Sequence, residues 1–285
     1  MPFTLIDNAF ELDWAFKPSP APATVRLRRV SSRLRRRIAA PDHRWVRRPS
    51  ATGDWTLYFV FAADGRLQTA HRFTLDRLAR LDRRLLIVCA APSPEQIPAE
   101  LGGYADALVW KALPGFDFSA YALGLHGIAD AAPGSDVLVL NDSVFGPLHD
   151  LAPLLSRMRW DLNGFTASGN IENHVQSYAF LLRDVTPNRM RLLRSVLPRE
   201  TAYDRFWDVV LCQETRFARV AGRTMTVGAL LYAGAGEITD PSLDQALPLL
   251  EAGFPFLKRS LTGKFSDRYL PGQVEAALRR YGHPV

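Results

Sequence analysis

Residues 136–148, DVLVLNDSVFGPL, decide how this chain reads. Val137, Leu138, Val139 and Leu140 form an unbroken apolar run, the pattern of a strand covered on both faces. Asn141, Asp142 and Ser143 follow at once, and Gly146 and Pro147 then break the chain ahead of a helix-like segment. In open α/β sheets, ligands bind at the carboxyl ends of strands. A carboxamide, a carboxylate and a hydroxyl emerging there could hold a metal ion, a diphosphate or a sugar hydroxyl. The same residues also suit a turn and a helix N-cap, and both readings stand at this point.

The flanking sequence alternates strand and helix patterns. TLYFVFA (56–62) and RLLIVCAA (84–91) read as strands, with a turn at Asp64-Gly65 and helical spacing from Phe73 to Leu81 between them. ADALVW (105–110) is a further short strand, and Tyr121 to Ile128 is helical. Strands separated by helical segments imply parallel pairing through crossover helices. Beyond the opening strand, Leu162 to Ala167 and TMTVGALLY (224–232) have strand character. His174 to Arg183, 188–197 and 203–221 read as helices. Gly234-Ala235-Gly236 does not open a long helix, so it reads as a mobile loop and not as a phosphate fingerprint.

Charge divides the chain unevenly. Residues 26–48 hold ten arginines against Asp42 alone, a local +9, so the remainder carries −3 of the net +6. Three prolines, Pro18, Pro20 and Pro22, precede this segment, and together they mark residues 1–50 as a separable basic arm ahead of a domain over 51–285. Within the arm Leu27, Val30, Leu34 and Ile38 recur at helical spacing, with arginines around the rest of the circumference. Such a short helix within VRLRRVSSRLRRRIA (25–39) would bring residues 25–48 to an anionic membrane surface, or pack on its own domain. Nucleic acid is the weaker rival partner, because no interleaved aromatics or binding motif accompany the arginines.

No apolar run reaches the roughly 18 residues of a membrane span, and the acidic start MPFTLIDNAFELDW is unlike a signal peptide. The two cysteines, Cys89 and Cys212, are too few for a disulfide framework, and a cytoplasmic location is the expectation.

Four further segments carry chemistry. GFDFSAYALGL (115–125) sets Asp117 between aromatics ahead of a helix. ENHVQSYAFLLR (172–183) supplies His174, Gln176 and Ser177. VVLCQETRFARVAG (209–222) carries Glu214 with Arg216 and Arg219 nearby, and PFLKRSL (255–261) presents Lys258 and Arg259.

In this order, with YFVFAADGRL before them and LNDSVFGPL among them, these segments resemble the rhamnan synthesis protein F family over about residues 55–261. Its members are bacterial proteins of surface polysaccharide and lipopolysaccharide assembly, regarded as glycosyltransferases. The resemblance implies an α/β fold of GT-A-like, Rossmann type, with the basic arm as an addition. It implies a nucleotide-sugar donor, rhamnose or another deoxysugar as the group moved, and a lipid-linked or polysaccharide acceptor. The place of action would be the cytoplasm, peripheral on the inner face of the membrane. In such folds an acidic turn holds a divalent metal. Here Asn141-Asp142-Ser143 offers one acid, so Mg²⁺ or Mn²⁺ would rest on Asp142 and donor oxygens, or Lys258 and Arg259 would neutralise the diphosphate instead. Transfer needs a carboxylate base, for which Glu214, Asp142 and Asp117 are the candidates. Asn141, Ser143, His174, Gln176, Ser177, Lys258 and Arg259 are the candidate substrate contacts. The alternative is a non-catalytic, membrane-associated nucleotide- or glycan-binding protein of the same assembly pathway.

Overall fold

The structure, a computed structural model, describes residues 10–234, 236 and 240–285. Ala235, in the expected Gly234–Gly236 loop, lies outside the described residues, as do residues 1–9 of the expected arm. Among the described residues the main sheet has ten strands: β1 (Glu11–Ala15), β2 (His43–Arg47), β3 (Trp55–Phe61), β4 (Arg84–Ala90), β5 (Ala107–Lys111), β6 (Ser135–Asn141), β7 (Leu162–Ser168), β8 (His174–Val175), β9 (Ala179–Val185) and β10 (Val227–Ala233). The principal helices are α1 (Ala23–Arg35), α2 (Thr69–Leu78), α3 (Phe116–Ala131), α4 (Pro187–Leu193) and α5 (Thr215–Ala221).

Across the sheet the order is β1-β10-β7-β9-β6-β3-β4-β5-β2, with β8 paired to β7. β6, β3, β4 and β5 run parallel, as do β7 and β10, while β9 is antiparallel to both its neighbours. The α/β class, with a Rossmann-type central sheet whose middle strands are parallel, is therefore as expected. This arrangement gathers the ends of β3, β4, β5 and β6 at one edge, together with the start of β9, where Ala179 pairs with Leu140.

Both faces are covered, which is why the central strands read as unbroken apolar runs. On one face Leu57, Leu86 and Val139 pack under Tyr121, Leu125 and Ile128 of α3; on the other, Tyr58, Ile87 and Leu138 pack with Leu75 and Leu78 of α2. A methyl at Gly124 would collide with Leu57, so α3 needs glycine there to lie close on the sheet.

Two expectations are corrected. Residues 174–183 are strands β8 and β9, not a helix. Phe180, Leu181 and Leu182 are all buried between two neighbouring strands, and a short apolar run of this kind has no periodicity that separates strand from helix. The segment after Gly146, expected to be helix-like, is helical only briefly. Val144–Phe145 pairs with Leu257–Lys258, and only the single turn Ala152–Leu155 follows.

The basic segment does not stand apart. β1 closes one edge of the sheet against β10, and β2 closes the opposite edge against β5. Between them, Arg37–Ala39 pairs with Thr201–Tyr203. The helix α1 lies with its polar side inward. Arg29 is buried, donates to the Leu211 carbonyl at 2.6 Å and to Thr215 Oγ1 at 2.8 Å, and ion-pairs with buried Glu172. Arg219 reaches the other oxygen of Glu172 at 2.6 Å, and Ser32 Oγ donates to Asp208 at 2.6 Å. A carboxylate as buried as Glu172 requires these cations, because an unpaired charge in that position costs several kcal/mol.

Glu172→Gln should therefore lower stability by about 3 kcal/mol by stranding the Arg29 guanidinium. Urea denaturation would read this as a lower midpoint at unchanged slope. A wild-type midpoint would mean that the triad does not hold α1 to the domain.

Candidate active site

The site grows from the end of β6. Asn141 is buried, and its backbone N–H donates to the Tyr178 carbonyl at 3.0 Å. Its side chain works in both directions. Nδ2 donates to Asp117 Oδ2 at 2.9 Å, and Oδ1 accepts from the backbone N–H and the hydroxyl of Ser143 at 3.1 and 2.5 Å. Asp117 sits in the first turn of α3, where its Oδ1 accepts from the Phe118 N–H at 2.9 Å. A carboxylate there meets the positive end of the helix dipole.

Tyr121, one turn along α3, donates to the Ser177 carbonyl at 3.0 Å and lies 3.4 Å from Asp117. Ser177 in turn donates from its N–H and its hydroxyl to Glu214 Oε1, at 3.0 and 2.8 Å. Glu214 closes a π-helical turn, Val210–Glu214, that leads into α5. Such turns recur at functional sites because they displace one side chain from the regular helical face. Arg216 and Arg219 do not pair with Glu214: Arg216 donates to backbone carbonyls and Arg219 serves Glu172. Among the described residues no hydrogen bond reaches Glu214 Oε2. The sheet thus brings together Asp117, Asn141, Ser143, Ser177 and Glu214.

Burial, and then the nearby Glu214 charge, push the Asp117 carboxyl up to about 6 against the opposing bond from Asn141. Two carboxyls sharing one polar cluster resist simultaneous ionisation.

Asp142 is held through one of its two oxygens. Its Oδ2 accepts from the Phe61 N–H at 2.9 Å and from His71 Nε2 at 3.0 Å. The Gln68 N–H donates to His71 Nδ1 at 3.2 Å, which fixes the proton on Nε2. Thr74 Oγ1 adds a bond to the Gly146 carbonyl at 2.6 Å, so α2 grips the turn at both ends.

The C-terminal segment grips it from the other side. Lys258 pairs with Val144, and the Arg259 N–H donates to the Ser143 carbonyl at 2.8 Å. The Arg259 guanidinium donates to the Asp142 carbonyl at 3.1 Å and to Gln68 Oε1. Gly146 has φ +128°, and a methyl there would strike the Pro255 carbonyl, so the clamp admits only glycine.

Lys258 and Gln176 belong to an adjoining cluster. Gln176 Nε2 donates to Asp240 Oδ1 at 2.9 Å, and Thr166 Oγ1 donates to Gln176 Oε1 at 2.7 Å and bonds the Tyr178 hydroxyl at the same distance. The Lys258 ammonium lies 4.7 Å over the Tyr178 ring. Burial pushes the Asp240 carboxyl up, but the Lys258 charge and the bonds from Ser242 and Gln176 hold it below its usual value. His174 stands outside both clusters, its Nδ1–H donating to the Glu172 carbonyl at 2.8 Å.

The residues present do not build a cage for a divalent cation. Among the described residues no three His, Cys, Asp or Glu side chains come together, and one Asp142 oxygen is already committed. A Mg²⁺ ion there would draw most of its octahedron from donor oxygens and water.

Sequence reasoning missed His71, Gln68, Asp240, Tyr121 and Lys111. The buried Lys111 ammonium donates to the Ala112 and Pro114 carbonyls at 2.8 and 2.5 Å, holding the loop that enters α3, and burial lowers its pKa to about 8. A cavity of about 240 Å³ beside Lys111, His43 and His126 contains none of the expected site residues.

An α/β sheet of Rossmann type, with a buried carboxyl–carboxamide cluster where its parallel strands end, defines the class of this protein. The chain belongs to the rhamnan synthesis protein F family, whose model matches residues 85–268. No curated protein matches it. Among solved structures it resembles 4-diphosphocytidyl-2C-methyl-D-erythritol synthase from Anaerococcus prevotii DSM 20548, at 14% identity and a TM-score of 0.34, covering 70% of this chain and 95% of that one. It also resembles the inositol-1-phosphate CTP transferase of T. maritima, at 11% identity and 0.38, covering 72% and 97%. A chain from Desulfovibrio desulfuricans G20 described as a nucleotide-diphospho-sugar transferase aligns at 11% identity and 0.39, covering 80% and 98%. These likenesses are distant, and the strand order above defines the fold without them.

The raised Asp117 value has a consequence for stability. The folded state holds this proton up to about pH 6, whereas the unfolded chain releases it near 3.8. The site therefore stabilises the fold below 3.8, and that contribution is lost as the pH rises through about 6. Asp117→Asn, which cannot ionise, should lose less stability than the wild type between about pH 4 and pH 7. Melting temperatures measured across that range check this, and parallel curves would contradict it.

Proposed function

We propose that the chain is a glycosyltransferase that takes a sugar from a nucleotide donor and passes it to a growing bacterial surface polysaccharide or lipopolysaccharide. Rhamnose or another deoxysugar is the group the family description favours. The observation that carries this reading is the Asp117–Asn141–Ser177–Glu214 network at the carboxyl edge of the parallel strands, in a member of a rhamnan-synthesis family.

In this reading the donor diphosphate lies along the Asn141–Ser143 turn. The Arg259 guanidinium meets its charge, while the loops after β3 and β4 face the nucleoside. Glu214 is the base. Its Oε1 is fixed by Ser177, and Oε2 is left to take the acceptor proton as the bond to the anomeric carbon forms and the diphosphate departs. Asp117 is a positioning residue, since both its oxygens are already engaged through Phe118 and Asn141. Asp142 holds the turn in place through Phe61 and His71. The acceptor would be a lipid-linked or polysaccharide glycan, met on the cytoplasmic side of the membrane.

The test is slow hydrolysis of nucleotide sugars without acceptor, followed by release of nucleoside diphosphate across a panel of donors. Glu214→Gln should reduce turnover by about 100-fold or more while leaving donor binding intact. The assay is run in EDTA and in Mg²⁺ or Mn²⁺ to read what the remaining Asp142 oxygen contributes. Turnover unchanged in Glu214→Gln would remove this residue from the chemistry. No turnover with any donor would favour a binding protein.

A further inference from the structure

The helix α1 is docked the wrong way round for a helix that only serves its own domain. Its apolar stripe faces solvent: Leu27 is 71% exposed, Val30 54% and Leu34 79%. Its buried residues are Arg29 and Ser32, tied to Glu172, Thr215 and Asp208. A solvated amphipathic helix normally buries the apolar side. Here the ion pairs fix the helix in the orientation that leaves three aliphatic side chains in water.

An exposed aromatic pair lies beside the helix, reached by Arg28. Arg28 lies 5.9 Å over the ring of Trp207, which is 52% exposed and packs edge-on against Phe206, itself 55% exposed. Single exposed apolar residues need no explanation, whereas a contiguous patch marks an interaction surface. Arg26, Arg28, Arg33 and Arg35 of the same helix, and Arg37 just after it, are exposed as well. No acidic residue interrupts the sequence from Ala23 to Pro41.

We infer that α1 and the Phe206–Trp207 corner form a docking surface for an anionic lipid bilayer. The apolar side chains would enter the headgroup boundary and the arginines would pair with lipid phosphates. Aliphatic and aromatic side chains ringed by arginine are the composition of interfacial helices, and both contributions add. Nucleic acid would use the arginines but give the exposed leucines nothing to bury against. Only the surface's bearing on a lipid-linked acceptor rests on the transferase reading. That bearing is geometric: Arg29 and the π-helical turn carrying Glu214 meet at the Leu211 carbonyl, so docking through α1 would set the site close to the bilayer.

The test is co-sedimentation of the full chain with phosphatidylcholine vesicles and with vesicles also containing phosphatidylglycerol. Binding to the anionic vesicles alone, weakening as salt is raised, is the expected result. Leu27→Ser with Leu34→Ser, and separately Trp207→Ser, should each weaken binding about tenfold or more, because these side chains supply the buried area. All are exposed, so circular dichroism and melting temperature should match the wild type, and nucleotide-sugar hydrolysis in solution should be unchanged. Trp207 fluorescence, isolated by subtracting the Trp207→Ser signal, should shift to the blue on vesicles. Wild-type protein that ignores anionic vesicles at low salt would overturn the inference. So would binding that is indifferent to the leucine and tryptophan substitutions, or retention on single-stranded nucleic acid with the same indifference. Loss of vesicle binding with hydrolysis intact separates this surface from the active site.

Discussion

The carboxamide of Asn141 donates to Asp117 and accepts from Ser143, and through these two bonds the end of one strand positions everything around it. Asn141 can do this because β6 delivers it to the sheet edge with both sheet faces sealed by α2 and α3. The neighbouring Asp142 then turns outward to fasten Phe61 and His71, and the Leu257–Arg259 segment closes over the turn. A polar cluster of this kind is held rigid only when nearly every member is satisfied. Asn141, Ser177 and Asp117 each have their partners, while among the described residues no hydrogen bond reaches Glu214 Oε2.

Much of the fold was legible because strand runs buried on both faces carry an unbroken apolar pattern. The strands at 56–62, 84–91, 137–140 and 162–167 were read within one or two residues. What was not legible came from long-range pairing. Residues 174–183 form an antiparallel strand whose apolar run looks the same as a buried helix until its neighbours are known. Asp142 was read as base or metal ligand, and its bond to His71, 71 positions away, is one that no local signal marks. The meeting of Asp117 with Glu214 depends on Ser177 standing between them, which only the topology reveals.

The basic segment was the hardest to read. Leu27, Val30 and Leu34 at helical spacing give the usual signature of a buried face, and the structure inverts it. The reason is Glu172. A carboxylate sealed from solvent demands a cation more strongly than three aliphatic side chains demand burial, since stranding that charge costs more than exposing a leucine. Arg29 and Arg219 satisfy it, and the rest of α1 follows. The prolines before α1 suggested a detached arm, but β1 and β2 use the same segment to close both open edges of the sheet, where unpaired strands would otherwise be exposed.

The most direct test of the account is donor binding at the Asn141 edge, measured by thermal shift with a panel of nucleoside diphosphates and nucleotide sugars. A ligand present at a hundred times its dissociation constant adds about 2.7 kcal/mol of stability. For a chain of this size that corresponds to a rise of roughly 2–4 °C per kcal/mol. The account predicts a rise selective for one nucleotide, largely lost in Arg259→Gln and retained in Glu214→Gln. A panel without any shift, or a shift that survives Arg259→Gln unchanged, would contradict the placement of the donor along the Asn141–Ser143 turn.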